Sequence, residues 1–350
     1  MEHRNDTCPD CDNGMEALDR RTFLRAAGAT AGAALFATPR LLKAAPSVNS
    51  AAETAVSALY ETLTDDQRKI VCFDWDHKTK ERGLLRTHVS NNWHITKPHI
   101  RSEFYSKKQQ DIIHDVFKGI INPQWYAKFL KQLKDDTDGH EWGTDQNIAI
   151  FGKPGSNQFE LVMTGRHMTI RADGNTTEHV AFGGPIFYGH AASGFNEKAG
   201  HPGNVFWHQA LAANKVFQMM DPKLQMKSLI EMRPDEIKVP FQGPKGTYTG
   251  CPVAEISKYL QGELQKVLMT LLEPYRKEDQ DEALDCLKKQ GGLEKCYLTF
   301  YKQGAITEGA WDNWRLEGPS FVWYFRGTPH VHVWVNIADD PSVPLNSKNL

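Results

Sequence analysis

Ser320-Phe321-Val322-Trp323-Tyr324-Phe325 and, a few residues on, Pro329-His330-Val331-His332-Val333-Trp334-Val335-Asn336-Ile337 decide how this chain folds. The first stretch is a continuous apolar run, which reads as a strand buried on both faces. The second alternates. Side chains on a strand point to opposite faces with a period of two. Val331, Val333, Val335 and Ile337 therefore share an apolar face that predicts a core contact, and His330, His332, Trp334 and Asn336 share the other.

Outward from there, Tyr297–Tyr301 reads as a third strand of this end of the chain, and Asn147–Phe151, Phe159–Arg171 and Val180–Tyr188 as strands of the middle. Each group follows helical segments. Tyr105-Ser106-Lys107-Lys108-Gln109 is a capping box, and Ile112, Ile113, Val116, Phe117 and Ile120 carry helical spacing behind it. Pro123 ends that helix and Trp125–Leu133 reads as the next. Val205–Met220, Val253–Leu272 and Asp279–Lys288 read as helices too, and Leu63-Thr64-Asp65-Asp66-Gln67 opens a short one. Strands clustered after helices predict an α+β fold, with antiparallel sheet(s) and flanking helix pairs. There is no regular βαβ alternation, G-x-G-x-x-G or P-loop. The recurrence of helices then strands raises an internal duplication, 105–172 and 255–337, as an expectation inside a single domain, 59–350.

The 350 residues carry 41 Lys+Arg and 43 Asp+Glu, a formal net charge of −2, with 40% hydrophobic and 24% charged residues. That balance excludes a chain disordered throughout and gives no basic footprint for nucleic acid. Six cysteines are too few for a disulfide scaffold. Among Cys72, Cys251, Cys286 and Cys296, proximity favours a Cys286–Cys296 pair, with buried free thiols the alternative.

Asp19-Arg20-Arg21-Thr22-Phe23-Leu24-Arg25 precedes a small-residue apolar run, Ala26 to Thr38. This is the layout of a twin-arginine export signal, which makes the twin-arginine translocation machinery an expected partner and the periplasm or exterior the expected location. The run falls short of the roughly 20 residues of a bilayer span, so no permanent membrane span is expected. Residues 1–45 read as signal and N-terminal extension, and 46–58 as a small, polar linker. Cys8-Pro9-Asp10-Cys11 lies upstream of the signal and lacks a second C-x-x-C to complete a zinc site.

Three stretches offer chemistry. The H-x-H of His330 and His332 sets two imidazoles side by side on one strand face, as zinc and copper sites require. Thr164-Gly165-Arg166-His167-Met168-Thr169-Ile170-Arg171 reads as strand, with Val162, Met168 and Ile170 on the apolar side and Gly165, His167, Thr169 and Arg171 on the other. Gly165 inside it marks a close approach of a ligand or another backbone. If the two strands meet, His167, His330 and His332 make a three-histidine site for a transition metal (zinc, copper or iron), and Arg166 or Arg171 can orient an anionic substrate. The third stretch runs from Gly183-Gly184-Pro185 through Gly189-His190 and Gly194 to Gly200-His201-Pro202-Gly203. Its glycines suit a loop wrapped round a site, and His190 and His201 are candidates for a further ligand, a partner behind a ligand, or an acid/base. His88, His94 and His99 are weaker candidates, and His208 reads as structural. The serine hydrolase, zincin and cysteine protease patterns are absent from the sequence.

The order of Leu63–Gln67, Ser90-Asn91-Asn92-Trp93, Ser106–Gln109, Phe151-Gly152-Lys153-Pro154, Gly165-Arg166-His167-Met168, Gly184–Gly189 and the final His330–His332 resembles the bacterial domain-of-unknown-function family 3500, over roughly 57–340. The resemblance implies no established activity. It does imply a histidine in the place of His167 and the terminal His330/His332 pair, and an acidic residue on the preceding strand, where this chain has Trp323-Tyr324-Phe325. Two expectations of function follow, beside a third in which the chain is a structural exported domain whose histidines are incidental. One is an exported His-ligated metalloenzyme, a hydrolase or oxidoreductase. The other is a non-catalytic periplasmic protein that binds a metal or a small-molecule ligand.

Overall fold

A computed structural model describes residues 45–190, 203–236, 239–303, 311–328 and 330–343. The paired arginines Arg20-Arg21, Cys8 and Cys11, and His201 with Gly194 and Gly200 lie outside the described residues.

The fold is α+β. Eight helices stand among the described residues: α1 (Ala51–Thr62), α2 (Asp65–Val71), α3 (Lys107–Ile120), α4 (Tyr126–Asp136), α5 (Trp207–Gln218), α6 (Pro222–Ser228), α7 (Lys258–Leu272) and α8 (Lys277–Lys289). The capping boxes form as the sequence predicts. Thr64 and Gln67 close the start of α2, and Ser106 and Gln109 that of α3. Helix α1 occupies most of the stretch read as a linker. Its Ala52, Val56 and Leu59 are spaced i, i+4, i+7 and are fully buried, so 51–58 belongs to the core and not to a tether.

The strands are β1 (Cys72–Phe73), β2 (Lys78–Thr79), β3 (Gly83–Leu84), β4 (Gln146–Gly152), β5 (Phe159–Gly165), β6 (Met168–Ala172), β7 (Ile186–His190), β8 (Leu229–Ile230), β9 (Cys251–Pro252), β10 (Tyr297–Tyr301), β11 (Asn313–Gly318), β12 (Phe321–Arg326) and β13 (Val331–Ile337). β2 and β3 make a small antiparallel pair. The others form one sheet in the order β1-β4-β5-β6-β7-β13-β12-β11-β10-β8, with β9 also on β10. Pairing is antiparallel from β4 through to β10, but the outermost pairs, β1 with β4 and β8 with β10, are parallel, so the sheet is mixed rather than purely antiparallel.

The main core packs residues of α1, α3, α4, α5, α7 and α8 onto one face of this sheet, where Met168, Ile170, Tyr188, Val331, Val333, Val335 and Ile337 point. The other face is covered by irregular chain. Phe187, Tyr324 and Trp334 lie under Val89 and Val239, and Ala149, Phe151 and Val162 lie under Leu85, Trp93 and Ile95. His332 and its neighbours on β13 therefore face the loop-covered side, as the alternation predicts.

One predicted strand is two. Phe159–Arg171 turns back on itself, with Gly165 paired to Met168 across the two residues Arg166 and His167. The reversal shifts the alternation by one. Val162 joins the loop-covered face, and Gly165 lies with Met168. Gly165 does mark a close approach: a Cβ there would lie 2.8 Å from the Asp145 carbonyl oxygen. The four cysteines are separate free thiols, so Cys286 and Cys296 do not pair. Burial pushes the Cys296 thiol up to about 12 and Cys72 to about 11, which keeps both protonated and unreactive.

Candidate metal centre

The site stands where the β5–β6 turn, the end of β7 and the start of β13 meet. His167 occupies the turn with φ 54°, a left-handed conformation that a non-glycine residue holds only where its surroundings enforce it. Its N–H donates to the Asn91 carbonyl at 2.9 Å. The covering segment is itself pinned nearby: Trp93 Nε1 donates to Thr169 Oγ1 at 2.9 Å, and Arg171 Nη2 to the His88 carbonyl at 2.8 Å. On the other side of the seam Gly189 faces His332 across β7 and β13. A Cβ on Gly189 would meet the Val331 carbonyl oxygen at 2.4 Å and the His167 and His332 rings at 3.3 and 3.4 Å, so glycine is what lets the two rings close together.

The three predicted histidines converge. His167 Nε2 lies 3.2 Å from His330 Nε2 and 3.1 Å from His332 Nε2, and the last two are 2.8 Å apart. Three nitrogens bound tetrahedrally at a metal–nitrogen distance of about 2.0–2.1 Å stand about 3.3 Å apart. The observed triangle needs only a few tenths of an ångström of expansion. The group is buried and could hold a metal ion.

Two carboxylates orient the ligands. His167 Nδ1 bonds Asp136 Oδ2 at 2.7 Å, and His332 Nδ1 bonds Glu236 Oε2 at 2.6 Å. An ionised carboxylate only accepts, so each Nδ1 carries the proton. A neutral ring protonated there presents a bare lone pair at Nε2. His167 and His332 thus aim two lone pairs at one point, an arrangement that asks for a cation. Burial and the Arg326 charge push His332 down to about 3 against the pull of Glu236, and burial with the neighbouring His167 and Arg326 does the same to His330. Both rings are therefore neutral, the form that binds metal. Burial works to raise the Glu236 carboxyl, but the bond from His332 and the Arg326 and Arg233 guanidiniums outweigh it and hold it at about 2.

Neither carboxylate was a sequence candidate. Asp136 ends α4, where an acidic side chain opposes the helix dipole, and Gln132 Nε2 donates to it at 2.7 Å. Asp135-Asp136 closing a helix was the available signal. Glu236 follows β8 in a charged stretch with no distinguishing pattern, 96 positions from the ring it orients. On β12 the chain carries Trp323-Tyr324-Phe325, and the carboxylates that bond the ligand rings come from a helix end and a loop. Such partners hold a ligand's tautomer and orientation, and their loss costs about 10- to 100-fold in metal affinity. Asp136→Asn is expected to weaken metal retention by that amount and leave the fold intact. Competition with a chelator measures it, and an unchanged affinity would remove Asp136 from the site.

His190 does not reach the three-nitrogen point. It ends β7 on the helix-covered side, fully buried, with Nδ1 3.8 Å from Asp136 Oδ1. Burial, against the pull of Asp136, pushes it down to about 4, so it is neutral. Neither of its ring nitrogens has a hydrogen bond among the described residues. Arg166 shares the turn with His167, and its charge bears on His330. Arg171 is not available for a substrate. It is fully buried, paired to Glu160 Oε1 at 2.7 Å, and donates to the Pro185, Arg86 and His88 carbonyls, which pins the covering segment. His94 and His99 pack edge to face on each other, and His208 bonds the Val205 carbonyl and lies against Trp125.

Fold and site together define an α+β protein with a carboxylate-oriented group of three buried histidines. Over residues 46–338 the chain matches the family described as protein of unknown function (DUF3500), and it belongs to that family. No curated protein matches the chain, and no solved structure does. No helix among the described residues is long and apolar enough to cross a membrane.

Proposed function

We propose that this protein is an exported, periplasmic metalloprotein in which His167, His330 and His332 hold one transition-metal ion, and that the centre is catalytic. The observation that carries the reading is the meeting of three Nε2 atoms within 3.2 Å of one another, two of them with Nδ1 committed to carboxylates. With three imidazoles and an open position, zinc supplies Lewis-acid chemistry for hydrolysis, and copper or iron supplies redox chemistry. Asp136 and Glu236 hold the rings in the binding tautomer. His190, neutral and close to Asp136, is the candidate to carry a proton, with His201 a second candidate. Arg166 is a candidate for substrate contact. Export is supported by Arg20-Arg21, Phe23-Leu24 and the apolar run that follows. The twin-arginine route carries folded proteins, which suits a chain that takes up its metal before transport.

The test is metal analysis by mass spectrometry of the full chain produced in a twin-arginine-competent host, with His332→Ala beside it. About one equivalent of a transition metal, lost in the variant, is the expected result. No metal in either sample after reconstitution would end this reading.

A second reading, a non-catalytic metal-binding protein, draws on the burial of the rings, each only 4–6% exposed. Cobalt substitution separates the two. An open position changes the visible spectrum when azide is added, and a closed ligand set leaves it unchanged.

A further inference from the structure

Arg326 ends β12 directly opposite His332 on β13, so the two side chains share the loop-covered face as cross-strand neighbours. Glu236 joins them. Its Oε2 accepts a hydrogen bond from His332 Nδ1 at 2.6 Å, and its Oε1 pairs with Arg326 Nη1 at 2.8 Å. That contact uses one corner of the guanidinium. The opposite edge, Nε and Nη2, is buried and makes no hydrogen bond among the described residues, on a side chain that is 6% exposed. Leaving charged donors buried and unmade costs more than leaving neutral ones, so an arginine edge in this position asks for an acceptor.

The charges around the triad ask for the same thing. Asp136 and Glu236 together balance one divalent ion. Arg326 and Arg233, which lies 3.4 Å from Glu236, both draw on that one carboxylate. Oxygen pairs in one plane, as in a carboxylate or a phosphoryl group, match the two parallel N–H groups of a guanidinium edge.

Resting on the metal reading above and adding the substrate class to it, we propose that Arg326 is the anchor for a substrate oxyanion, gripping a carboxylate or phosphoryl group through Nε and Nη2 beside the three-histidine centre. Glu236 then serves both halves of the site, orienting the ligand His332 with one oxygen and the anchor Arg326 with the other.

The test uses the full chain with its metal content measured in the same sample. Inorganic phosphate and acetate are titrated separately by calorimetry into the wild type and into Arg326→Lys. The lysine keeps the charge opposite Glu236 and removes the fork. The expected result is saturable binding of at least one anion near one equivalent, weakened tenfold or more by Arg326→Lys, with metal content and melting temperature unchanged; which anion binds tells the carboxylate from the phosphoryl class. Equal binding by the variant overturns the proposal. So does the absence of saturable binding of either anion to the wild type, which decides the matter even if the variant does not fold. The two readings fail separately. Metal without anion binding removes the anchor and leaves the metal centre, and Arg326-dependent anion binding by a metal-free chain does the reverse.

Discussion

Adding one methyl group at Gly189 is expected to abolish tight metal binding. Gly189 lies on β7 opposite His332, and its backbone passes so close to β13 that a Cβ would stand 2.4 Å from the Val331 carbonyl oxygen. Backbone cannot yield as a flexible side chain does, so the two strands must move apart. Overpacking of this kind costs about 1–3 kcal/mol. The same methyl presses on the His167 ring at 3.3 Å and the His332 ring at 3.4 Å, one on each side of the seam. A chelate here would depend on both rings meeting at one point, so a displacement of a few tenths of an ångström would act on two ligands at once. For Gly189→Ala we expect metal affinity to fall by at least the 10- to 100-fold seen when a ligand loses its orienting partner. The apoprotein should melt a few degrees lower, at roughly 2–4 °C per kcal/mol. Metal content after dialysis and a thermal melt of the apoprotein measure the two effects separately. Full metal retention would mean that the seam is slacker than these distances describe.

The largest loss of stability is expected from Arg276→Met, far from the histidines. Arg276 pairs with both oxygens of Glu53, at 2.8 and 2.7 Å, and with Asp279 at 3.0 Å, and all three side chains are buried. It ties α1, near the start of the described chain, to the start of α8. Removing one partner of a buried ion pair costs about 3–5 kcal/mol, because it strands charge in a poor solvent. Two carboxylates are stranded here, with Asp173 and Glu282 close enough to raise the cost. Burial already pushes Asp279 up to about 7 in the presence of Arg276, so without it the Asp279 carboxyl escapes part of the penalty by taking up a proton. The sign follows. Carboxyl groups whose folded pKa lies above the unfolded value near 4 are tolerated at low pH and cost stability as pH rises through the folded value. The deficit of Arg276→Met should therefore be largest at pH 7–8 and shrink on acidification toward pH 5. Melting temperatures of wild type and variant across that range test it. A gap that widens on acidification would contradict the account. Adding Glu53→Gln to the variant should recover part of the loss, because the two positions act as one unit.

Much of this fold was readable along the chain, and the parts that were not share a cause. Tyr297–Tyr301 and Val331–Ile337 are strands over the residues that pattern alone delimits, and the two capping boxes form. There the determining interactions are local or follow a period of two. His167 with His330 and His332 was readable as a set, because H-x-H on one strand already fixes two of the three rings. The turn at Arg166-His167 was not, because neither residue is a turn former. The backbone of His167 is held in the left-handed region by Asn91 and Asp136, contacts that span 76 and 31 positions. Helix α1 looked like a tether because its apolar positions are small and thinly spaced, and only burial against α3 and the sheet shows what they do. Glu236 carried no pattern of its own, and the acidic pair that closes α4 did not show which ring Asp136 bonds. What makes them partners of the ligands is that β6 and β13, separated only by β7 in the sheet, bring distant helix and loop ends to one place.

The outermost strands of the sheet have a consequence for how the protein behaves among its own copies. A long strand with unpaired backbone is a template on which a second chain can grow, and proteins rich in sheet must guard it. Here β1 and β8 are two residues each, too short to seed such growth. The strands behind them are sealed by other means. Ile100 N–H donates to the Gln146 carbonyl and Thr96 Oγ1 to that of Ile148, while the Asn147 side-chain amide donates to the Thr96 and Pro98 carbonyls, which holds the covering segment along the rim of β4. On the far side β8 and β9 share out the rim of β10 between them. Among the described residues, an eleven-stranded sheet built this way offers no ready template for fibrous association.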